Sequence, residues 1–488
     1  MSAILAEPLP ILTETPDHRA MIAVERRKSI LLRLWIVTGL FFMVLPGTVL
    51  GFTNLLAISA HHGLAGLSAA WIQAHGFSQV FGWIGSFVLG IGFYSQPHTR
   101  TNRGRLPITC WSLWTVGLTL HWLAAGYLWR WRVTLPISGA LQFAAILLFL
   151  YAAWQHKLPE AGSATSRKRP GIEPWMQTVL VSNAALVVAL VINLVVSIRL
   201  AIEGAAPAIP HRFDQSFLVL IGWGFLAPLV WGFSARWLPV FLGVAPLRGR
   251  LLQMAVGLDL LAVALGMARY TILMAPLLAA AAVLAAVAIR VFSMPERAAK
   301  TIGLHPSFPV FLRIAYAWSI AAAFLSVWAS WSDVHGGIWG GSRHALTVGF
   351  TAMMVMTVGP RILPHFAGVR SLYSPRLMFA TLVLLLAGCT LRVSMEPLAY
   401  EGILPFAWKL LPISGCLELG AVLLFALQLI LTFTREPSIF PEAARIRPDT
   451  PASASILRPS CAGGLDISCY DVSALPEPKH NAEPLREP

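Results

Sequence analysis

Residues 135–149 read LPISGALQFAAILLF, and residues 411–425 read LPISGCLELGAVLLF. Ten of the fifteen positions are identical, across a separation of 276 residues. Each copy opens an apolar run long enough to cross a bilayer. A chain that writes one apolar helix twice at such a distance carries an internal period, and that period decides the architecture.

Composition sets the environment. The 488 residues are 57% apolar and 12% charged, with 18 Trp, 25 Phe and a mean hydropathy of +0.69. So few charges cannot cover the surface of a water-soluble domain of this size. Uncharged runs near 20 residues predict twelve spans, at 30–58, 75–96, 107–128, 134–155, 175–198, 213–235, 250–269, 271–292, 309–331, 343–363, 376–395 and 404–433. The seventh and eighth are joined only by MARYT (267–271). The chain therefore reads as an all-α polytopic membrane protein with the lipid bilayer as its main partner.

The net charge of +14 invites a nucleic-acid reading, and its placement argues against one. With the N-terminus inside, 28 of the 36 Lys and Arg fall on the cytoplasmic side and 8 outside: Arg130, Arg132, Arg199, Arg212, Arg269, Arg343, Arg392 and Lys409. That asymmetry supports both the span count and the orientation. The first apolar run follows ERRKSILLR (25–33), which reads as a cytoplasmic anchor rather than a signal peptide. The five cysteines form no C-x-x-C pair and suggest neither a disulfide framework nor a cysteine metal site. Residues 1–29 read as a cytoplasmic arm, 30–434 as the membrane domain, and the Pro/Ser/Ala-rich 435–488 as a disordered cytoplasmic tail.

The LPISG helices are the fourth and twelfth spans, eight helices apart. The second and tenth spans open on His75 and His344, 269 residues apart. RWLPVFLGV (236–244) closes the sixth span and RILPHFAGV (361–369) the tenth, with six of nine positions identical. Spans two, six and ten thus look related, as do four and twelve. The expected fold is three four-helix pseudo-repeats rather than two six-helix halves.

In this topology His75 and His344 stand near the outer ends of related helices at similar depth. Below His75 come Gln79, Gly82, Ser86 and Gly90, the last three a small-residue ridge open to another helix or a flat ligand. Two neutral imidazoles facing each other across a gap could hold a haem iron from both sides. His121 also lies in the outer leaflet and is a weaker candidate ligand. His211 is excluded from the pair: the RxLPxF register aligns His344 with Val219, so His211 lies eight residues further out, about 12 Å along a helix. There it could serve copper. His365 is 21 residues beyond His344, about 31 Å on one helix, and cannot share its metal.

Twelve helices with outward histidines on the second and tenth resemble subunit I of the haem-copper oxidases. There, those helices supply the axial ligands of the low-spin haem, which the resemblance transfers to His75 and His344. The oxidase copper–haem centre also needs histidines on the seventh helix, and LLQMAVGLDLLAVALGMAR (251–269) has none. The chain more closely resembles the NnrS family, membrane proteins associated with haem, copper and the nitric oxide response of denitrifying bacteria. RHALTVGFTAMMVMTVGPRILPHFAGVR (343–370) is similar to that family's strongest signature, GFSARWLPVF (232–241) to its Arg-x-x-Pro-x-Phe stretch, and WIQAHGFSQVFG (71–82) to its Trp-His-Ala-His segment. Two departures weigh against copper more than against haem: Gln73 stands where the family has a first histidine, and the closing motif is stretched over His365, Gly368 and Arg370.

The resemblance implies a b-type haem, nitric oxide or a redox partner, and the bacterial inner membrane. It gives outer cations a role, since haem propionates need them. Arg132 (in WRWRV) and Lys409 (in AWKLLPISG) precede the two LPISG helices and are the candidates. Two other readings stand beside this one. A transporter would use Asn183, Asn193 and Asp259, the last read as the only acidic residue deep in a span. A metal-free scaffold or assembly factor would keep only the fold.

Overall fold

The protein is seen in a computed structural model that describes residues 16–95, 105–155 and 172–435. The expected tail, most of the N-terminal arm and the basic linker after the fourth span lie outside the described residues.

Twelve helical rods account for the described chain, and none of the described residues forms a strand. They are α1 (16–61), α2 (Ala69–Ser95), α3 (Leu106–Tyr127), α4 (Trp131–Gln155), α5 (Pro174–Glu203), α6 (His211–Leu242), α7 (Gly249–Met267), α8 (Thr271–Ile289), α9 (Phe308–Ser332), α10 (Gly337–Phe366), α11 (Pro375–Tyr400) and α12 (Ala407–Phe433). Eleven are long and apolar enough to cross a membrane. The third is not among them. Its 22 residues are long enough and uncharged, but Trp111, Trp114, Trp122, three threonines and His121 dilute its hydropathy. Apolar side chains such as Val191, Val195, Ile272, Leu273 and Phe324 remain exposed on the outer faces, as a lipid-facing surface requires. This is a multi-pass α-helical membrane protein.

Most boundaries fall within a few residues of those expected. The exceptions matter. α10 begins at Gly337, six residues before the expected start, because GIWGGSR coils into helix rather than loop. α11 runs on to Tyr400 through Pro397. Arg392, counted above on the outer side, therefore lies about two turns before the end of that helix and is only 8% exposed. His75 and His344 are not at helix ends either. They lie six and seven residues into their helices, about 9 and 10 Å.

Successive helices pack side by side. α1 lies on α2, α3 on α4, α5 on α6, α7 on α8, α9 on α10 and α11 on α12. α4 also meets α5, α8 meets α9, and α12 returns to α1. α2, α6 and α10 are the most enclosed, with 67%, 78% and 67% of their apolar windows buried against at most 56% elsewhere.

Those three helices share a second trait with α1. Each is interrupted by a π-helical segment: Met43–Val49 in α1, Ser78–Gly85 in α2, Leu220–Leu226 in α6 and Ala345–Ala352 in α10. π-helical turns are rare and concentrate at functional sites. In α1 the cause is Pro46, which has no N–H to continue the ladder. Side chains answer the freed carbonyls: Thr48 Oγ1 donates to Met43 O at 2.9 Å, and Ser182 Oγ of α5 donates to Phe225 O of α6 at 2.8 Å.

The small-residue ridge of α2 is filled by a helix. A Cβ at Gly82 or Gly90 would meet Phe42 or Trp35 of α1 at 2.6 and 2.5 Å. Ser86 accepts from Trp114 Nε1 of α3 at 3.1 Å. The ridge seats side chains rather than a flat ligand.

Candidate functional site

His75 faces α1. Its Nδ1 lies 2.8 Å from Gly47 O, inside the π-helical segment. A carbonyl only accepts, so Nδ1 carries the hydrogen and Nε2 the lone pair. Gln79, one turn on, reaches the same segment, donating to Thr48 Oγ1 at 2.9 Å and to Met43 O at 3.3 Å. The ring lies flat against Gly51, where a Cβ would come within 2.4 Å of it. Glycine at 51 is thus what admits the imidazole.

His344 faces α11. Its Nδ1 lies 3.0 Å from Gly340 O and 3.2 Å from Glu396 Oε2. Both are acceptors, so Nδ1 again carries the hydrogen. Glu396 is 6% exposed and takes a second hydrogen bond on the same oxygen from Arg392 Nε, at 3.1 Å. The close approach depends on Gly340, where a Cβ would stand 2.2 Å from Glu396 Oε1. Gly337 seats Tyr400 in the same way, since a Cβ there would stand 2.5 Å from Tyr400 Cβ. The glycines of GIWGGSRH therefore bring α10 near enough to α11 for the carboxylate to reach the histidine.

The two imidazoles form one electrostatic cluster. His75 lies within range of His344 and Arg392, and Glu418 of α12 within range of His344, Arg392 and Glu396. Among the described residues, no hydrogen bond engages Nε2 of either histidine. Two imidazoles, each oriented through Nδ1 and with no hydrogen bond on Nε2, are residues that could hold a metal-centred cofactor.

Sequence reading missed Arg392, Glu396 and Glu418. The statement that Asp259 is the only acidic residue deep in a span is corrected, since Glu396 and Glu418 also lie within spans and are enclosed. The available signal was an Arg and a Glu at i, i+4 inside an apolar run, a spacing that puts both on one helix face.

The other candidates have other employments. Arg132 donates to Ala201 O and Gly204 O at 2.8 and 2.9 Å, capping α5. Lys409 is exposed in the first turn of α12. His121 is buried, stacks on Phe77 of α2 with ring centroids 3.5 Å apart, and leaves Nδ1 without a partner. His211 is exposed at the first turn of α6. Gln73 pairs its amide with both backbone groups of Ile209, at 2.7 and 2.8 Å, and so holds the loop before α6. The structure does not gather His121 and His211 with His75 and His344: among the described residues no three His, Cys, Asp or Glu are placed to hold a metal ion. Elsewhere α2, α6 and α10 line a half-open apolar cavity of about 150 Å³, with hydroxyls from Ser234 and Thr351.

No protein-family model and no curated protein matches this chain. The functional argument rests on the site itself.

Proposed function

We propose that this chain is an NnrS-like haem protein of the bacterial inner membrane, in which His75 and His344 are the two axial ligands of one b-type haem. The observation that carries this is the matched state of the histidines. Each has Nδ1 against fixed acceptors, Gly47 O for His75 and Gly340 O with Glu396 Oε2 for His344, and among the described residues no hydrogen bond on Nε2. That is the arrangement of metal-bound imidazole, where the second-shell acceptor fixes tautomer and ring orientation. A bound haem supplies one-electron chemistry and a site for a diatomic ligand. The chain's part is to hold the imidazoles, exclude water and set the surrounding charge. The role proposed is nitric oxide response or handling, with a redox partner. A haem with both axial positions filled takes nitric oxide only where one histidine leaves. Copper has less support, because among the described residues no third donor joins the pair.

The proposed architecture is three four-helix repeats of the haem-copper oxidase subunit I kind. Helix contacts recur with that period: α3–α4, α7–α8 and α11–α12, then α4–α5, α8–α9 and α12–α1. The π-helical segments of α6 and α10 begin at Leu220 and Ala345, 125 residues apart, the same interval as Arg236 to Arg361. The proposed orientation, with both termini cytoplasmic, rests on the 28-to-8 distribution of Lys and Arg.

The test is an optical spectrum of the purified chain from haem-replete cells. Sharp reduced-minus-oxidised b-haem bands are expected, lost in both His75→Ala and His344→Ala. A colourless wild-type chain, or bands that survive both substitutions, would overturn the proposal. The transporter reading has one observation in its favour: Asp259 is fully buried with neither carboxylate oxygen partnered, and Asn193 Nδ2 is also unpartnered. Haem-free protein would turn attention to that pair.

A further inference from the structure

The two histidines are held by unlike acceptors. His75 donates to a neutral backbone carbonyl. His344 also meets a carbonyl, Gly340 O of its own helix at 3.0 Å, and in addition stands 3.2 Å from a carboxylate that a buried guanidinium grips from the other side. We infer that Glu396 is a positioning residue that lowers the reduction potential of the bound haem through His344. This rests on the haem reading above.

A charged acceptor makes a stronger hydrogen bond than a carbonyl does. It draws Nδ1–H toward itself, makes Nε2 more electron-rich and so favours the ferric over the ferrous iron. The carboxylate's own charge acts in the same direction, and enclosure between α10 and α11 keeps it poorly screened. Arg392 opposes this in part, but it does not contact His344. It anchors the Oε2 that the histidine uses. The other charged groups around Glu396 are Arg343, which favours the ferrous state, and Glu418, which opposes it.

Stability alone does not explain the pair. A buried ion pair is often no more stabilising than well-packed apolar side chains of the same volume. Yet at two glycines of α10, Gly337 and Gly340, this strip of α11 leaves no room for a Cβ, and Gly340 faces Glu396 itself. Among the described residues no carboxylate pairs with His75, whose Nδ1 meets Gly47 O and whose ring lies on Gly51, with Arg392 and His344 as the charged and titratable groups within range.

The experiment is a potentiometric titration of the purified full chain with its haem bound, followed by the visible bands. Glu396→Gln is expected to keep the bis-histidine spectrum and to shift the reduction equilibrium at least tenfold toward the ferrous state, about 59 mV for a one-electron couple. Gly340→Ala keeps the charge but pushes the carboxylate aside, and is expected to shift the potential in the same direction by less. Glu401→Gln, which removes a carboxylate from the loop beyond α11, is expected to leave it unmoved. A potential for Glu396→Gln that falls, or stays within twofold of wild type in equilibrium constant with the bands intact, overturns the inference. If Glu396→Gln does not retain haem, Gly340→Ala and Glu396→Asp decide by the same criterion. A wild-type chain without haem bands is a different failure, since it overturns the haem reading itself.

Discussion

The pairs α3–α4 and α11–α12 share a packing detail and differ in what they bury. In each, a glycine of the first helix lies against the LPISG turn of the second. A Cβ on Gly117 would meet Gln142 Cγ at 2.9 Å and Ser138 O at 3.1 Å, and one on Gly388 would meet Glu418 Cγ at 2.8 Å and Ser414 O at 3.0 Å. Ser138 and Ser414 each donate to the carbonyl of the leucine that opens the motif, at 2.8 and 2.6 Å. Four residues past the two glycines stand His121 and Arg392. The first pair buries only neutral groups: His121 stacked on Phe77, and Gln142 with both amide atoms unpartnered. The second buries Arg392 and Glu396 and half-buries Glu418. One backbone approach serves both contents, so the charges of α11–α12 are not required for helix packing. They sit where His344 can use them.

Substitutions break or sharpen that contrast. The largest effect is expected from Glu396→Ala, which leaves Arg392 buried without its partner and should cost about 3–5 kcal/mol in a reversible unfolding measurement in detergent or bicelles. The corresponding place in α3, eight residues past its glycine, already holds Ala125 at no such cost. A loss under about 1 kcal/mol would mean that Arg392 finds another partner at once. Next come Gly117→Ala and Gly388→Ala, each forcing a methyl group against backbone and side chain. About 1–3 kcal/mol is expected for both. Similar costs sustain the comparison, and a wide gap between them, read from the same unfolding curves, would end it. The smallest effect belongs to His121→Phe. It keeps a ring on Phe77 and removes a buried nitrogen with no partner, so a change below about 1 kcal/mol is expected, along with an unaltered haem spectrum. Loss of the bands in that variant would make His121 a ligand after all.

Much of the fold was legible because lipid simplifies the rules. A segment in hydrocarbon must satisfy its own backbone and be apolar over a set length, so spans can be read from local composition. His75 and His344 stood out as candidates for a related reason, since a titratable side chain in an apolar run is conspicuous. Errors arose where composition and structure part. GIWGGSR looks like a loop and is helix. Arg392 and Glu396 look like the polar end of a span and are inside it. The small-residue ridge of α2 was open to a helix or a flat ligand, and only the packing showed that it takes Phe42 and Trp35 of α1.

The sequence by itself determined a multi-pass helical membrane chain, the places of its spans and the two histidines worth following, because apolar length and rare polar residues are local properties. Only the tertiary structure decided which acceptor each histidine meets and which ring nitrogen is left free. Those outcomes depend on contacts near 3 Å between helices far apart in the chain. They are set by helix rotation and by how closely Gly51 and Gly340 let the neighbouring side chains approach, and neither is written in any single stretch of sequence.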